Sequence, residues 1–339
     1  MRRVAVNLVN GVRPSLRIAA ALVLAASLAA LLLRPAPLSF EDRLRRFLRD
    51  EGIAGAVVAH GRIGARPELI VLGLAAPGRP MRAGDRFRLA SLSKPITSAA
   101  VLRLVREGRT RLDDPVPEAG PGITVRHLLQ HSGGWDWKRT VDPIGDPDTL
   151  PRIGLTDARS CEEVANRLPP VQFRPGTRYA YSNLGYCRLG HFVERVAGMP
   201  YQDYARRAVL APRGAELAFM GEPTVRHPTH WRPAAFRALG VGGGWVGSAG
   251  DYWRFAAGPL DPLATSRPPY AVPGEHHYGL GWRVWPDGEL THFGAIPGAF
   301  SMVVRRGDRV AVLLFNGRPR DAEAGFRRLR EALGSLDGF

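Results

Sequence analysis

Lysine is nearly absent from this chain. Of its 339 residues 47 are basic, yet only Lys94 and Lys138 are lysine, and the formal net charge is +16. Arginine keeps its proton in a protein, whereas a buried lysine can lose one and act as a base. A side-chain amine acting as a base must therefore be one of those two. Cysteine is equally scarce: Cys161 and Cys187 stand alone, with no Cys-x-x-Cys, which argues against thiol exchange and zinc ribbons. There is no His-Glu-x-x-His; His127 and His131 would share a helix face but lack its glutamate, so neither metal nor cofactor is expected. Val246 stands where Ser248 would need a glycine, which excludes the Gly-x-Ser-x-Gly elbow of α/β-hydrolases. Arginines are spread along the chain rather than gathered into runs interleaved with aromatics, so nucleic acid is not an expected partner. The charge reads mainly as compositional bias plus a solvated surface, whose field would attract anionic lipid or cell-wall polymer.

Long apolar runs are limited to one, Ile18 to Leu33, behind Arg2, Arg3, Arg13 and Arg17 and ahead of Arg34-Pro35. A positive segment followed by an apolar one is an export signal. No small-x-small site follows the run closely, so residues 1–39 read as an uncleaved signal-anchor in preference to a cleaved signal peptide. Its positive end would be cytoplasmic. Residues 40–339 would then lie outside the cytoplasmic membrane, in the periplasm or its equivalent, anchored by residues 18–33. That compartment permits a disulfide between Cys161 and Cys187 worth about 3 kcal/mol; two buried free thiols are the alternative.

Phe40 to Asp50 carries Phe40, Leu44, Phe47 and Leu48 at helical spacing. Ile53–His60 and Leu69–Leu74 are apolar, β-branched runs broken by glycine and proline, as in a hairpin. From Arg109 the texture turns to short helices, the longest following Asn183. Strand texture returns at Glu289–His292, Ser301–Arg305 and Val310–Phe315, the last apolar on both faces like a central strand. Asp321 is placed to cap a final helix. The reading is an α/β (α+β) fold with an antiparallel sheet flanked by helices. Residues 40–108 and 285–339 build the sheet, and 109–284 form a mostly helical insertion.

Three stretches carry chemistry. In Ser91-Leu92-Ser93-Lys94-Pro95 a serine precedes a lysine by three residues where a helix begins, because proline is tolerated only in the first turn. Residues three apart share a helix face, so hydroxyl and amine can meet. The positive helix end disfavours a protonated Lys94 and welcomes an oxyanion at Ser91. Tyr181-Ser182-Asn183 precedes the long helix; a phenol beside an ammonium can relay protons, and the Asn183 amide can hold a substrate carbonyl. In His292-Phe293-Gly294-Ala295, Gly294 would admit close approach to a strand, and the Ala295 and Ser91 N–H groups would form an oxyanion hole.

In that order the three stretches resemble the motifs of the serine β-lactamase-like superfamily, in the branch of class C β-lactamases, D-alanyl-D-alanine carboxypeptidases and esterases. Arg111–Pro115, Val125–Gly134, Gly242–Trp245 and Tyr278–Trp282 match its connecting segments, and the likeness runs from about Phe40 to the end. The resemblance implies a cleft between the sheet and the helical part. Ser91 would be the acylated nucleophile, and Lys94 and Tyr181 would share acid and base duty. Asn183, His292, Gly294 and Ala295 would contact substrate. Where many members carry Lys-Thr-Gly this chain has His292-Phe293-Gly294, which removes a fixed charge for a substrate carboxylate. An exported hydrolase of ester, amide or D-amino-acid peptide substrates therefore ranks first. A penicillin-binding sensor with slow turnover, or a weak β-lactamase, is the alternative.

Overall fold

Alternate residues of the chain's most apolar strand face two different cores, and this organises the molecule. In a computed structural model that describes residues 38–339 except positions 138, 140, 169 and 337, the folded unit is Phe40–Phe339. The proposed anchor, residues 18–33, and Lys138 lie outside the described residues. Among the described residues no helix is long and apolar enough to cross a membrane.

The strands are β1 Gly55–Arg62, β2 Glu68–Ala76, β3 Arg79–Pro80, β4 Phe87–Arg88, β5 Ala218–Phe219, β6 Trp245–Gly247, β7 His277–Tyr278, β8 Arg283–Val284, β9 Leu290–Ile296, β10 Ala299–Arg306 and β11 Arg309–Phe315. Eight of them form one sheet in the order β3-β2-β1-β11-β10-β9-β8-β7, with antiparallel pairing throughout; β4, β6 and β5 form a second, small sheet. The first strand and the last two meet at the centre, where Val58 pairs with Leu313 and Val303 with Val312.

On β11 the residues Val310, Val312 and Leu314 enter the larger core, while Ala311, Leu313 and Phe315 enter the smaller. A strand buried on both faces loses the alternation of a half-exposed one, which is why it reads as an unbroken apolar run. The smaller core is closed by helix α1 (Phe40–Glu51) and by a C-terminal helix, Ala322–Ala332, through Phe40, Leu44, Phe47, Phe326 and Leu329. Asp321 caps that last helix, accepting from the amides of Glu323 and Ala324. The larger core is built on helix α2 (Ser93–Arg106), helix α3 (Asn183–Ala197) and helix α4 (Ala249–Ala257), the last of which packs on β1 and β11. The result is a sheet between two helical layers.

Three differences from the sequence reading concern the site. β9 does not stop at His292 but continues to Ile296 before turning through Pro297-Gly298. β7 and β8 bring residues 277–284 into the main sheet ahead of the expected boundary at 285. His131 lies beyond the short helix Val125–Leu129, with a left-handed φ of 54°, so it does not share a helix face with His127.

Cys161 and Cys187 are joined by a disulfide with an S–S distance of 2.10 Å, linking α3 to the helix Cys161–Ala165 across 26 positions. Closing a loop of that length restricts the unfolded chain. Cys187→Ser is expected to cost about 3 kcal/mol, read as the change in unfolding free energy in guanidinium.

Candidate active site

The approach to Ser91 begins at β4, which pairs with β6 and so fixes where the chain enters α2. The N–H of Leu89 donates to the Trp245 carbonyl at 2.9 Å, and the Leu89 carbonyl accepts from Ser301 Oγ at 2.7 Å. Ala90 then adopts φ 47°, a left-handed conformation that a residue with a Cβ holds only when its surroundings compel it. Ala90–Leu92 form a short 3-10 turn that leads directly into α2. Ser91 is thus presented on a strained corner anchored at both ends.

One turn on, Lys94 is fully buried. Its Nζ lies 3.2 Å from Ser91 Oγ, 2.7 Å from Asn183 Oδ1 and 2.9 Å from the Gly242 carbonyl. An ammonium donates three hydrogen bonds, and these acceptors are three; a neutral amine donates two and keeps a lone pair. In the neutral form Lys94 can donate to Asn183 and Gly242 and accept the proton of Ser91. Burial pulls its pKa down to about 7, against a smaller upward pull from the Asp142 carboxylate.

Tyr181 donates from Oη to Ser91 Oγ at 2.8 Å, so the serine oxygen lies between phenol and amine. Burial pushes the Tyr181 phenol well above its ordinary range, with a smaller downward pull from the Ser91 bond. The phenol therefore keeps its proton, and Lys94 is the group able to take one near neutrality. Ser182 caps α3 by accepting from the Gly185 amide, which fixes Tyr181 just before the helix and Asn183 at its first position. The Ser182 N–H donates to Nδ1 of His131, whose buried ring packs against those of Tyr181, Tyr186 and Tyr278. His131 thus holds the Tyr181 ring from behind, at the centre of an aromatic cage.

β9 supplies the opposite wall. β8 pairs with it only at Leu290 and Thr291, so from His292 to Ile296 one edge of β9 has no strand beside it. The Ser91 turn occupies that edge. A Cβ on Gly294 would come within 2.6 Å of the Ser91 amide nitrogen and 2.8 Å of the Leu89 carbonyl, distances only glycine allows. Ala295 follows and lines the cleft beside Ser91.

His292 also lines the cleft, but both its ring nitrogens are engaged within the protein. Nε2 meets Tyr278 Oη at 2.8 Å and Nδ1 meets the Phe293 carbonyl at 2.9 Å. That pairing fixes the proton on Nδ1 and makes Nε2 an acceptor. Burial, then the nearby Lys94, pushes the His292 pKa down to about 3, so the ring is neutral. It carries no charge with which to hold a substrate carboxylate.

Asp142 escaped the sequence reading. Its Oδ2 accepts from Asn183 Nδ2 at 2.6 Å and its Oδ1 from the Gly145 amide at 3.1 Å, so it sets the orientation in which Asn183 receives Lys94. Burial raises its pKa. Nothing local in Val141-Asp142-Pro143 signals this, since Asn183, the partner that matters for the site, lies 41 positions away. The whole arrangement opens into a cleft of about 890 Å³ whose rim includes Trp137, Arg152, Arg178 and Arg283. Arg178 is paired with Asp136 and Arg283 with Glu323.

The model of the Beta-lactamase family matches residues 40–334. Esterase EstB of Burkholderia gladioli is 36% identical over 188 residues, which is 49% of this chain and 47% of the esterase. A penicillin-binding protein structure from Bacillus halodurans superposes with a TM-score of 0.71 at 22% identity, covering 86% of this chain and 99% of that one. The D-amino acid amidase of Ochrobactrum anthropi SV3 gives a TM-score of 0.71 at 23% identity, covering 88% and 100%. These two structures share the fold. The curated relatives matched at 30% to 36% identity are spanned over 31% to 47% of their own length.

Proposed function

Since this chain belongs to the Beta-lactamase family of serine hydrolases, we propose that it cleaves ester, amide or D-amino-acid peptide substrates through an acyl-enzyme on Ser91. The observation that carries this reading is the placement of Ser91 Oγ between a protonated phenol, Tyr181, and an amine lowered to about 7, Lys94. As Ser91 Oγ attacks the carbonyl carbon, its proton passes to Lys94. The N–H groups of Ser91 and Ala295 hold the resulting oxyanion. When the tetrahedral species collapses, the leaving alcohol or amine takes the Tyr181 proton, which the Lys94 ammonium replaces. Water then repeats the sequence on the acyl group and frees Ser91.

The neutral, internally bonded His292 supports uncharged acyl substrates over those that present a carboxylate at that position. An esterase among the relatives and a D-amino acid amidase among the structural neighbours favour the same side. The test is the kcat/KM of the purified full-length protein for a p-nitrophenyl short-chain ester, a D-amino-acid p-nitroanilide and a chromogenic cephalosporin. Ester or D-anilide turnover exceeding cephalosporin turnover is expected. Faster cephalosporin hydrolysis would replace this reading with a β-lactamase, and a Ser91 adduct that persists without turnover would replace it with a penicillin-binding sensor.

The site makes a pH prediction. Activity needs neutral Lys94, so kcat/KM for the ester should rise through about pH 7 and fall below it. His131 and His292 face Lys94 as well, but burial lowers both, so Asp142 is the neighbour that supplies charge. Its carboxylate raises the Lys94 pKa, and Asp142→Asn should move the acid limb of the pH–rate profile to lower pH. An unmoved limb contradicts the coupling.

We also place the hydrolase outside the cytoplasm, held by residues 18–33, on the charge and hydropathy pattern of the first 35 residues and a disulfide suited to an oxidising compartment. Carbonate-washed membranes should retain the full-length chain. Its recovery in the cytosolic fraction would refute the placement.

A further inference from the structure

A second cavity, of about 280 Å³, lies along α2 and shares no lining residue with the cleft at Ser91. Pro95, Ala99 and Leu102 of α2, with Phe255, Leu260 and Trp282, give it an apolar wall. Five arginines also line it: Arg103, which pairs with Glu107, and Arg106, Arg207, Arg213 and Arg305. Arg106, Arg213 and Arg305 meet there with one carboxylate among the described residues, Asp261, which pairs with Arg106 at 2.8 Å.

Arg213 and Arg305 are bonded in a way that leaves their charge unanswered. Arg213 donates to the carbonyls of Val209 and Pro259, at 2.6 and 2.8 Å, and its Nε is buried with no partner. Arg305, on β10, donates from Nη1 to the carbonyls of Ala256 and Gly258, both at 2.8 Å. Gly258 must be glycine for this, because a Cβ there would fall 2.3 Å from Arg213 Nε. Burial first, then repulsion from Arg106 and Arg305, pulls the Arg213 pKa down, so the three guanidinium groups act on one another. Backbone carbonyls satisfy hydrogen-bond geometry but do not neutralise a partly buried cation, and buried charges are ordinarily paired. Arg207 also lines the cavity and is exposed, with no ion pair among the described residues, which adds to the excess.

We propose that this cavity is a binding site for an anion of phosphate chemistry carrying a compact apolar body. The guanidinium fork matches phosphate oxygens in a way no point charge does, and the apolar wall receives the remainder of the molecule. A soluble phosphate ester and the headgroup of an anionic phospholipid both have this chemistry.

Calorimetric titration of the full-length protein with phenyl phosphate, at constant ionic strength, tests the site. One equivalent should bind, more tightly than inorganic phosphate and with a rise in Tm. Arg213→Gln removes the charge, and Ala99→Phe fills the cavity while leaving every arginine in place. Each should weaken binding at least tenfold, with p-nitrophenyl ester turnover unchanged. Ala99→Phe keeps the test open if Arg213→Gln fails to fold. A parallel arm measures binding to vesicles of phosphatidylglycerol: Ala99-dependent vesicle binding identifies a lipid headgroup, and Ala99-dependent phenyl phosphate binding alone identifies a soluble ester. Absence of saturable binding by either probe, or binding that both variants retain, overturns the proposal.

Discussion

Ser91→Ala is expected to lower kcat/KM for an activated ester by about 10⁴-fold or more, while Tm stays within a few degrees of the parent. Removing the nucleophile of such a site leaves only what the oxyanion donors and binding contribute. Among the described residues the half-buried hydroxyl makes hydrogen bonds to Lys94 and Tyr181 alone, so its loss does not open a core cavity. The backbone N–H of Ser91 remains and so does the strained turn at Ala90, which isolates the effect to the missing oxygen. Parallel ester assays and thermal melts check it. Retained turnover would mean that another group carries the chemistry.

Lys94→Arg should cost about 10³-fold in kcat/KM, within the range that general base catalysis contributes. The substitution preserves the positive charge and removes the ability to become neutral, because a guanidinium does not deprotonate in a protein. It also meets steric resistance. The Lys94 ammonium already touches acceptors on three sides, and even a Cβ on Gly242 would lie 3.3 Å from Nζ. A purely electrostatic role for Lys94 predicts partial activity in the arginine variant, whereas a role as base predicts that the acid limb near pH 7 disappears with the activity. The pH–rate profile of the residual turnover separates the two.

The parts of this molecule that a reader of the sequence can see are those whose cause is local. Ser91 and Lys94 are three apart on one turn, and Pro95 announces the start of a helix. The central strands declare themselves because both faces are buried, and Asp321 because a side chain caps its own helix. Other features have distant causes. β7 and β8 are two residues each, too short to show any period, and join the sheet only because β9 is there to pair with. Gly294 and Pro297 look like a turn directly after His292, yet β10 pairs with β9 as far as Ile296 and keeps Ala295 within the strand. Asp142 lies in a loop and matters because Asn183, on another element, turns its amide towards it. His292 suggests a substrate ligand by its position in the motif, and only Tyr278, fourteen residues earlier, shows that its Nε2 is already occupied.

The central claim is a covalent intermediate on Ser91, and intact-protein mass spectrometry after rapid acid quench of an ester reaction tests it most directly. The account predicts a single acyl adduct that proteolytic mapping places on Ser91, that forms more slowly in Lys94→Arg and that is absent from Ser91→Ala. An adduct of the same mass on Ser91→Ala, or ester turnover by the parent enzyme with no adduct at Ser91 at any quench time, would contradict it.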